Sequence, residues 1–251
     1  MPIILLTNDD GISAPGLRAL AAAIEGLGDI YVVAPDGERS ASAQSITLLG
    51  PVFYEQVAER EWAVAGTPTD AVILALNKLL PDRPALVLSG INHGGNLGEN
   101  VYYSGTAAAA MEGTINGLAA CAISMTGRHA EPDFSQVAEF SRRLAEVVLA
   151  EGLPEGVMLN VNVPAKWAGD VRFTRQSRKI TRNLLQDGVD PRGRKFVWLS
   201  EQKRISDVEP DTDYAAILSG AASMTPLVFD RTHTLSLNHL SHWADRLRRA
   251  Q

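Results

Sequence analysis

An open α/β fold, with a mostly parallel sheet sandwiched by helices, follows from two features of the sequence. The first half alternates short apolar runs with helical segments, and the runs lack period-2 alternation. Runs of that kind read as parallel strands buried on both faces, and strand–helix alternation implies right-handed βαβ units. At 251 residues, with 45% hydrophobic and 21% charged, the chain can bury one large core.

The strand candidates are Ile3–Thr7, Ile30–Ala34, Ala85–Ser89 and Ala120–Met125, and the helix candidates are Pro15–Leu27, Pro68–Leu80 and Gly105–Gly117. Thr67-Pro68-Thr69-Asp70 has the form of a helix start: a threonine cap, proline at the first position and an acid in the first turn. Val52–Val57 and Trp62–Ala65 suit a side hairpin. Further on, Phe134–Ala150 reads as an amphipathic helix and Val157–Val163 as another buried strand. The stretch from 171 to 200 is polar and basic, with Arg172, Arg175, Arg178, Lys179, Arg182, Arg192, Arg194 and Lys195. Arg172–Gln176 and Phe196–Ser200 are expected to be arms of a long hairpin turning near Gln186-Asp187-Gly188. A thin hairpin cannot hold itself up, so it should pack on something else, such as another subunit. Asp211–Leu218 reads as a helix, Ala222–Phe229 as a strand and Leu235–Arg249 as a closing helix. The chain is expected to be a single domain over 1–251, with the site in 1–130.

The formal net charge of −6 argues against nonspecific nucleic-acid binding or an anionic membrane surface. No apolar run reaches membrane-spanning length, and no basic segment precedes the N-terminal apolar run as in a signal peptide. The single cysteine, Cys121, lies in an apolar run and is expected in the core. It forms no intrachain disulfide, which suits a reducing, cytoplasmic setting.

Ligands of open α/β sheets bind beyond the carboxyl ends of the strands. Those ends carry Asn8-Asp9-Asp10-Gly11, then Pro35 to Ser42, then Asn92-His93-Gly94-Gly95-Asn96, which leads to Ser104-Gly105-Thr106. Two carboxylates, a hydroxyl and an amide oxygen form a hard-ligand set suited to Mg²⁺ or Mn²⁺. Asp9-Asp10 alone fits an acidic Asx turn equally well. Ser104 reads either as a simple N-cap or as the start of an anion-holding helix terminus. Together, a cation site beside an anion hole suits metal-assisted phosphoester hydrolysis. No GxGxxG fingerprint or Walker lysine is present. The acids are adjacent rather than two positions apart, which disfavours a covalent aspartyl route and favours attack by a metal-bound water. His93 suits a general acid or phosphate contact, and equally a solvent-facing loop residue.

Five segments in order resemble the SurE survival-protein family: Thr-Asn-Asp-Asp-Gly at 7–11, Ala-Pro-Asp-x-x-x-Ser at 34–40, Gly-Thr-Pro-x-Asp at 66–70, Ser-Gly-Ile-Asn-x-Gly-x-Asn at 89–96 and Tyr-Ser-Gly-Thr at 103–106. Asp211-Thr212-Asp213-Tyr214 and Met224-Thr225-Pro226-Leu227 resemble it more loosely. The resemblance implies a metal-dependent phosphatase of nucleoside 5′- and 3′-monophosphates, with a Rossmann-like core and a C-terminal hairpin and helix exchanged between subunits of a homodimer or homotetramer. It implies one divalent cation per subunit on Asp9, Asp10, Ser40 and Asn92, and a phosphate pocket at Asn96, Ser104, Gly105 and Thr106. It puts catalysis on Asp9, Asp10 and Asn96, and carries no role onto His93. The alternative is a module that senses a nucleotide or phosphate in the same pocket without turnover. A weaker one is an assembly protein whose basic hairpin contacts a partner.

Overall fold

The computed structural model describes residues 1–127, 132–178, 181–203 and 208–248. In chain order the first half runs β1 (Ile3–Thr7), α1 (Pro15–Ala23), β2 (Asp29–Pro35), β3 (Phe53–Ala58), β4 (Glu61–Ala65), α2 (Pro68–Leu74), β5 (Leu86–His93), α3 (Gly105–Ile115) and β6 (Ala120–Thr126). The second half adds α4 (Ser135–Glu151), β7 (Val157–Pro164), β8 (Val171–Phe173), β9 (Thr181–Val189), β10 (Lys195–Lys203), α5 (Asp213–Leu218), β11 (Ala222–Val228), α6 (Thr234–Leu240) and α7 (Trp243–Leu247).

Among the described residues, nine strands form one sheet in the order β3-β4-β2-β1-β5-β6-β7-β11-β8. The run from β4 to β7 is parallel, and β3 and β11 pair antiparallel at its two ends. The chain leaves β1 first toward β2 and later returns on its other side as β5. That reversal makes the β1/β5 boundary the switch point at which such sheets bind ligands.

Alternation along β1 divides the core. Ile4 and Leu6 face Leu17, Leu20, Phe140 and Leu144, while Leu5 faces Val72, Ala107 and Ala109. One helical layer is therefore α1 with α4, and the other is α2 with α3. The expected start of α2 forms in full: Thr67 Oγ1 accepts from the Asp70 amide, and Asp70 accepts from the Thr67 amide. After Leu74 this helix widens into a π-helical turn over Ala75–Leu79.

Three expectations are corrected in the second half. The segment expected as the first hairpin arm, Arg172–Gln176, is not part of the hairpin. Val171–Phe173 instead pairs parallel with β11 at the edge of the main sheet. The hairpin is β9 with β10, and it turns at 190–194, not at Gln186-Asp187-Gly188. Asp190 Oδ1 accepts the Arg192 and Arg194 amides at 2.9 and 2.8 Å and closes that turn. Gly188 lies opposite Phe196, whose ring fills the space a Cβ would take. The closing helix is two short helices interrupted at Ser241–His242, and its expected last residue, Arg249, lies outside the described residues.

Candidate active site

The Asp-Asp pair is not itself the turn. Asn8 closes it, with its side chain donating to the Gly11 carbonyl at 2.9 Å and accepting the Gly11 amide at 3.2 Å. Gly11 has φ +102°, and a Cβ there would meet the Gly37 backbone at 3.0 Å, so glycine is required. With the turn made by Asn8, both acids are available to the space beyond β1.

Backbone hydrogen bonds draw the neighbouring loops to them. The Arg39 amide donates to the Asp9 carbonyl at 2.7 Å, and the Ala43 amide donates to the Tyr103 carbonyl at 3.1 Å. The β1, β2 and α3 ends thereby share one cavity of about 1040 Å³. Asp9, Asp10, Ser40, Asn92, Asn96 and Ser104 all line it. Gly105 and Thr106 stand behind Asp9 rather than on the cavity wall.

Asp9 is 6% exposed. Burial pushes its carboxyl up to about 6, against the opposing pull of the Thr106 hydroxyl and with a further rise from Asp10. Thr106 Oγ1 donates to Asp9 Oδ1 at 2.5 Å, and the Thr106 amide adds a second hydrogen bond. The positive end of α3 thus faces an anion that belongs to the protein. Gly105 permits this approach, since a Cβ would lie 2.7 Å from Asp9 Cβ and 2.9 Å from its Oδ2.

Burial also raises Asp10; a hydrogen bond from the His93 backbone opposes it, and the charge of Glu38 adds to the rise. Glu38 lines the cavity and accepts the Ser40 hydroxyl at 2.6 Å, a role not singled out from the sequence. Asn92, which lines the cavity, donates from Nδ2 to the Gly94 carbonyl at 2.6 Å and keeps Oδ1 as an acceptor. Ser104 Oγ accepts the Ala107 amide at 3.0 Å, so it caps α3 and keeps its own proton to donate. Cys121 is buried, and burial pushes its thiol up to about 12, as befits a core residue.

The donors fit a hard divalent cation. They are all oxygens, and burial disfavours the charged form of both Asp9 and Asp10, a cost that a cation's charge would offset. Among the described residues, no three His, Cys, Asp or Glu side chains gather as a metal group. A cation there would draw on neutral oxygens beside the two acids, and Ser40 and Asn92 line the same cavity.

The second half of the chain supports the loop between Asn92 and Ser104. Asp213, fully buried, accepts the Gly98 amide at 2.9 Å, the Tyr214 amide at 2.7 Å and the Ser177 hydroxyl. Gln176 Nε2 donates to the Gly98 carbonyl at 2.6 Å. A buried aspartate within a polar Asp-Thr-Asp-Tyr run was the available signal, but the sequence does not reveal its partner 115 residues away.

A family model described as survival protein SurE matches residues 4–183. A 5′-nucleotidase SurE of Pelobacter propionicus is 45% identical over 244 residues, covering 96% of this chain and 98% of the relative. One from Moorella thermoacetica is 45% identical over 239 residues, covering 92% of each. The crystal structure of the SurE protein from Aquifex aeolicus superposes with a TM-score of 0.88 at 37% identity, covering 97% of this chain and all of that one. With its sheet order, its switch-point cavity and these matches together, the chain belongs to the SurE family.

Proposed function

We infer that this protein is a 5′-nucleotidase that hydrolyses nucleoside monophosphates to nucleoside and phosphate. The observation that carries the reading is the meeting of Asp9 and Asp10 with neutral oxygen donors and the Ser104 helix terminus in one cavity. The relatives named 5′-nucleotidase SurE support the substrate class. Nucleoside 3′-monophosphates are a second substrate class to assay.

Asp9, Asp10, Ser40 and Asn92 would hold one divalent cation of the Mg²⁺ or Mn²⁺ type. When bound, it supplies charge neutralisation at phosphorus and a more acidic water. Thr106 holds Asp9 in place, with one carboxylate oxygen turned to its own hydroxyl. Asn96 and the Ser104 hydroxyl offer donors to the phosphoryl oxygens, where negative charge grows during the displacement. The oxygen of a water joins phosphorus, the bond to the ribose oxygen breaks, and one of that water's protons ends on the departing ribose oxygen while the other stays on the phosphate.

We further propose that the protein is a homodimer or homotetramer built through the β9–β10 hairpin. Among the described residues the hairpin forms a separate two-stranded sheet, and it exposes Leu185, Trp198 and Leu199. The α6–α7 segment likewise exposes Leu235, Trp243 and Leu247. Among the described residues no helix is long and apolar enough to cross a membrane, and a cytoplasmic setting accords with the single buried thiol.

The test is phosphate release from AMP with Mn²⁺, with and without EDTA. Release that EDTA abolishes is the expected result, and Asp9→Asn should nearly abolish it with circular dichroism unchanged. Saturable AMP binding without release would overturn the enzyme reading in favour of a sensor.

A further inference from the structure

Strand β7 carries two asparagines that the reaction above does not use. Asn160 and Asn162 are two residues apart in an otherwise apolar strand, so they share a face. Both are fully buried, where an unpaired amide is costly. Both converge on the main chain of one loop residue, Asn96. Asn162 Oδ1 accepts the Asn96 amide at 2.8 Å, and Asn162 Nδ2 donates to the Asn96 carbonyl at 3.0 Å. Asn160 Nδ2 donates to the same carbonyl at 2.8 Å.

The Asn96 side chain is fixed as well. Its Nδ2 donates to Ser124 Oγ at 2.9 Å, and Ser124 is the β6 residue paired with Asn162. Gly95 lets the loop lie flat on these strands, since a Cβ would meet Thr126 Cγ2 at 2.9 Å. Four hydrogen bonds from two strands therefore hold one residue of the cavity wall. Asn162 acts on it as a neighbouring strand would, through both its donor and its acceptor.

We propose that Asn162, with Asn160 in support, is a positioning residue for phosphoester hydrolysis: it sets the Asn96 main chain so that the Asn96 side chain meets the phosphoryl group. The proposal rests on the nucleotidase reading. Asn160 and Asn162 touch no reacting atom; they act through Asn96.

The test compares Asn162→Leu, Asn160→Ala and Ser223→Ala with wild type, using AMP and Mn²⁺. Ser223 on β11 pairs with Asn162 of β7, and its buried hydroxyl has no hydrogen-bond partner among the described residues, so its loss measures packing alone. Misplacing a substrate-contacting group by about 1 Å costs roughly a hundredfold, so kcat of Asn162→Leu should fall by about that factor and KM should move far less. Asn160→Ala, which removes one bond of three to the Asn96 main chain, should lose less. Ser223→Ala should match wild type. Hydrogen exchange at the Asn96 amide should accelerate in Asn162→Leu, a readout that needs no turnover. Wild-type kcat in Asn162→Leu, unchanged exchange at Asn96, or an equal loss in Ser223→Ala would each overturn the proposal. Should Asn162→Leu fail to fold, Asn160→Ala decides by the same two readouts. If wild type releases no phosphate, the nucleotidase reading fails and the catalytic role falls with it, while exchange at Asn96 still reports whether the clamp exists.

Discussion

Thr106 Oγ1 sits 2.5 Å from Asp9 Oδ1, so the helix that follows Ser104 is bonded to the first acid of the Asp9-Asp10 pair. A hydrogen bond to a charged group contributes about 1.5–3 kcal/mol. Thr106→Val keeps the shape and removes the donor. Its kcat/KM on AMP should fall roughly ten- to hundredfold, since each 1.4 kcal/mol is about tenfold. Retention of wild-type activity would show that Asp9 is oriented by other contacts.

Gly105→Ala separates helix propensity from site geometry. In an ordinary helix position this change stabilises by about 1 kcal/mol. Here the new methyl would lie 2.7 Å from Asp9 Cβ and 2.8 Å from Ser42 Oγ, so Asp9 or α3 must move. Activity should drop at least tenfold while far-ultraviolet circular dichroism stays as in wild type. An active Gly105→Ala protein would mean that the approach of α3 to Asp9 tolerates a shift.

The readable parts of this fold were those in which local chemistry decides. Ile3–Thr7 and Ala120–Met125 read as apolar runs, and they form the buried parallel strands Ile3–Thr7 and Ala120–Thr126. Thr67 and Asp70 bond to each other within four residues. The hairpin was misread because Gln186-Asp187-Gly188 and 190–194 both carry turn residues, and the cross-strand pairing of Gly188 with Phe196 chose between them. The loops carrying Asp9, Asp10, Ser40, Asn92, Asn96 and Ser104 stand out in the sequence as oxygen-rich, and these residues line one cavity. The work of Asn160, Asn162 and Asp213 was not, because each acts on a loop 64 or more residues away.

The β9–β10 hairpin should control assembly. Its exposed Trp198 and Leu199 are too large and apolar to be left to water in a two-stranded ribbon. Replacing 181–203 with a short Gly-Ser linker should lower the molar mass measured by light scattering to that of a monomer. An unchanged mass would show that the hairpin does not hold subunits together.

Asp70 predicts how stability follows pH. Burial alone would raise its carboxyl, but hydrogen bonds from the Thr47 amide and hydroxyl and from the Thr67 amide outweigh that and hold it below the usual range. A depressed folded value means that the ionised form is favoured by folding. Its contribution is complete above the unfolded value of about 3.9 and disappears as pH falls through the folded one. Asp70→Asn keeps an acceptor but loses the charge, and weakening a helix cap of this kind costs about 1 kcal/mol. Urea midpoints of the two proteins should therefore differ at pH 7, begin to draw together below about pH 3.9, where the unfolded chain takes up the proton, and converge only once pH has fallen through the lower folded value. A gap that persists unchanged at low pH would assign the effect to the lost geometry of the cap rather than to the carboxylate charge.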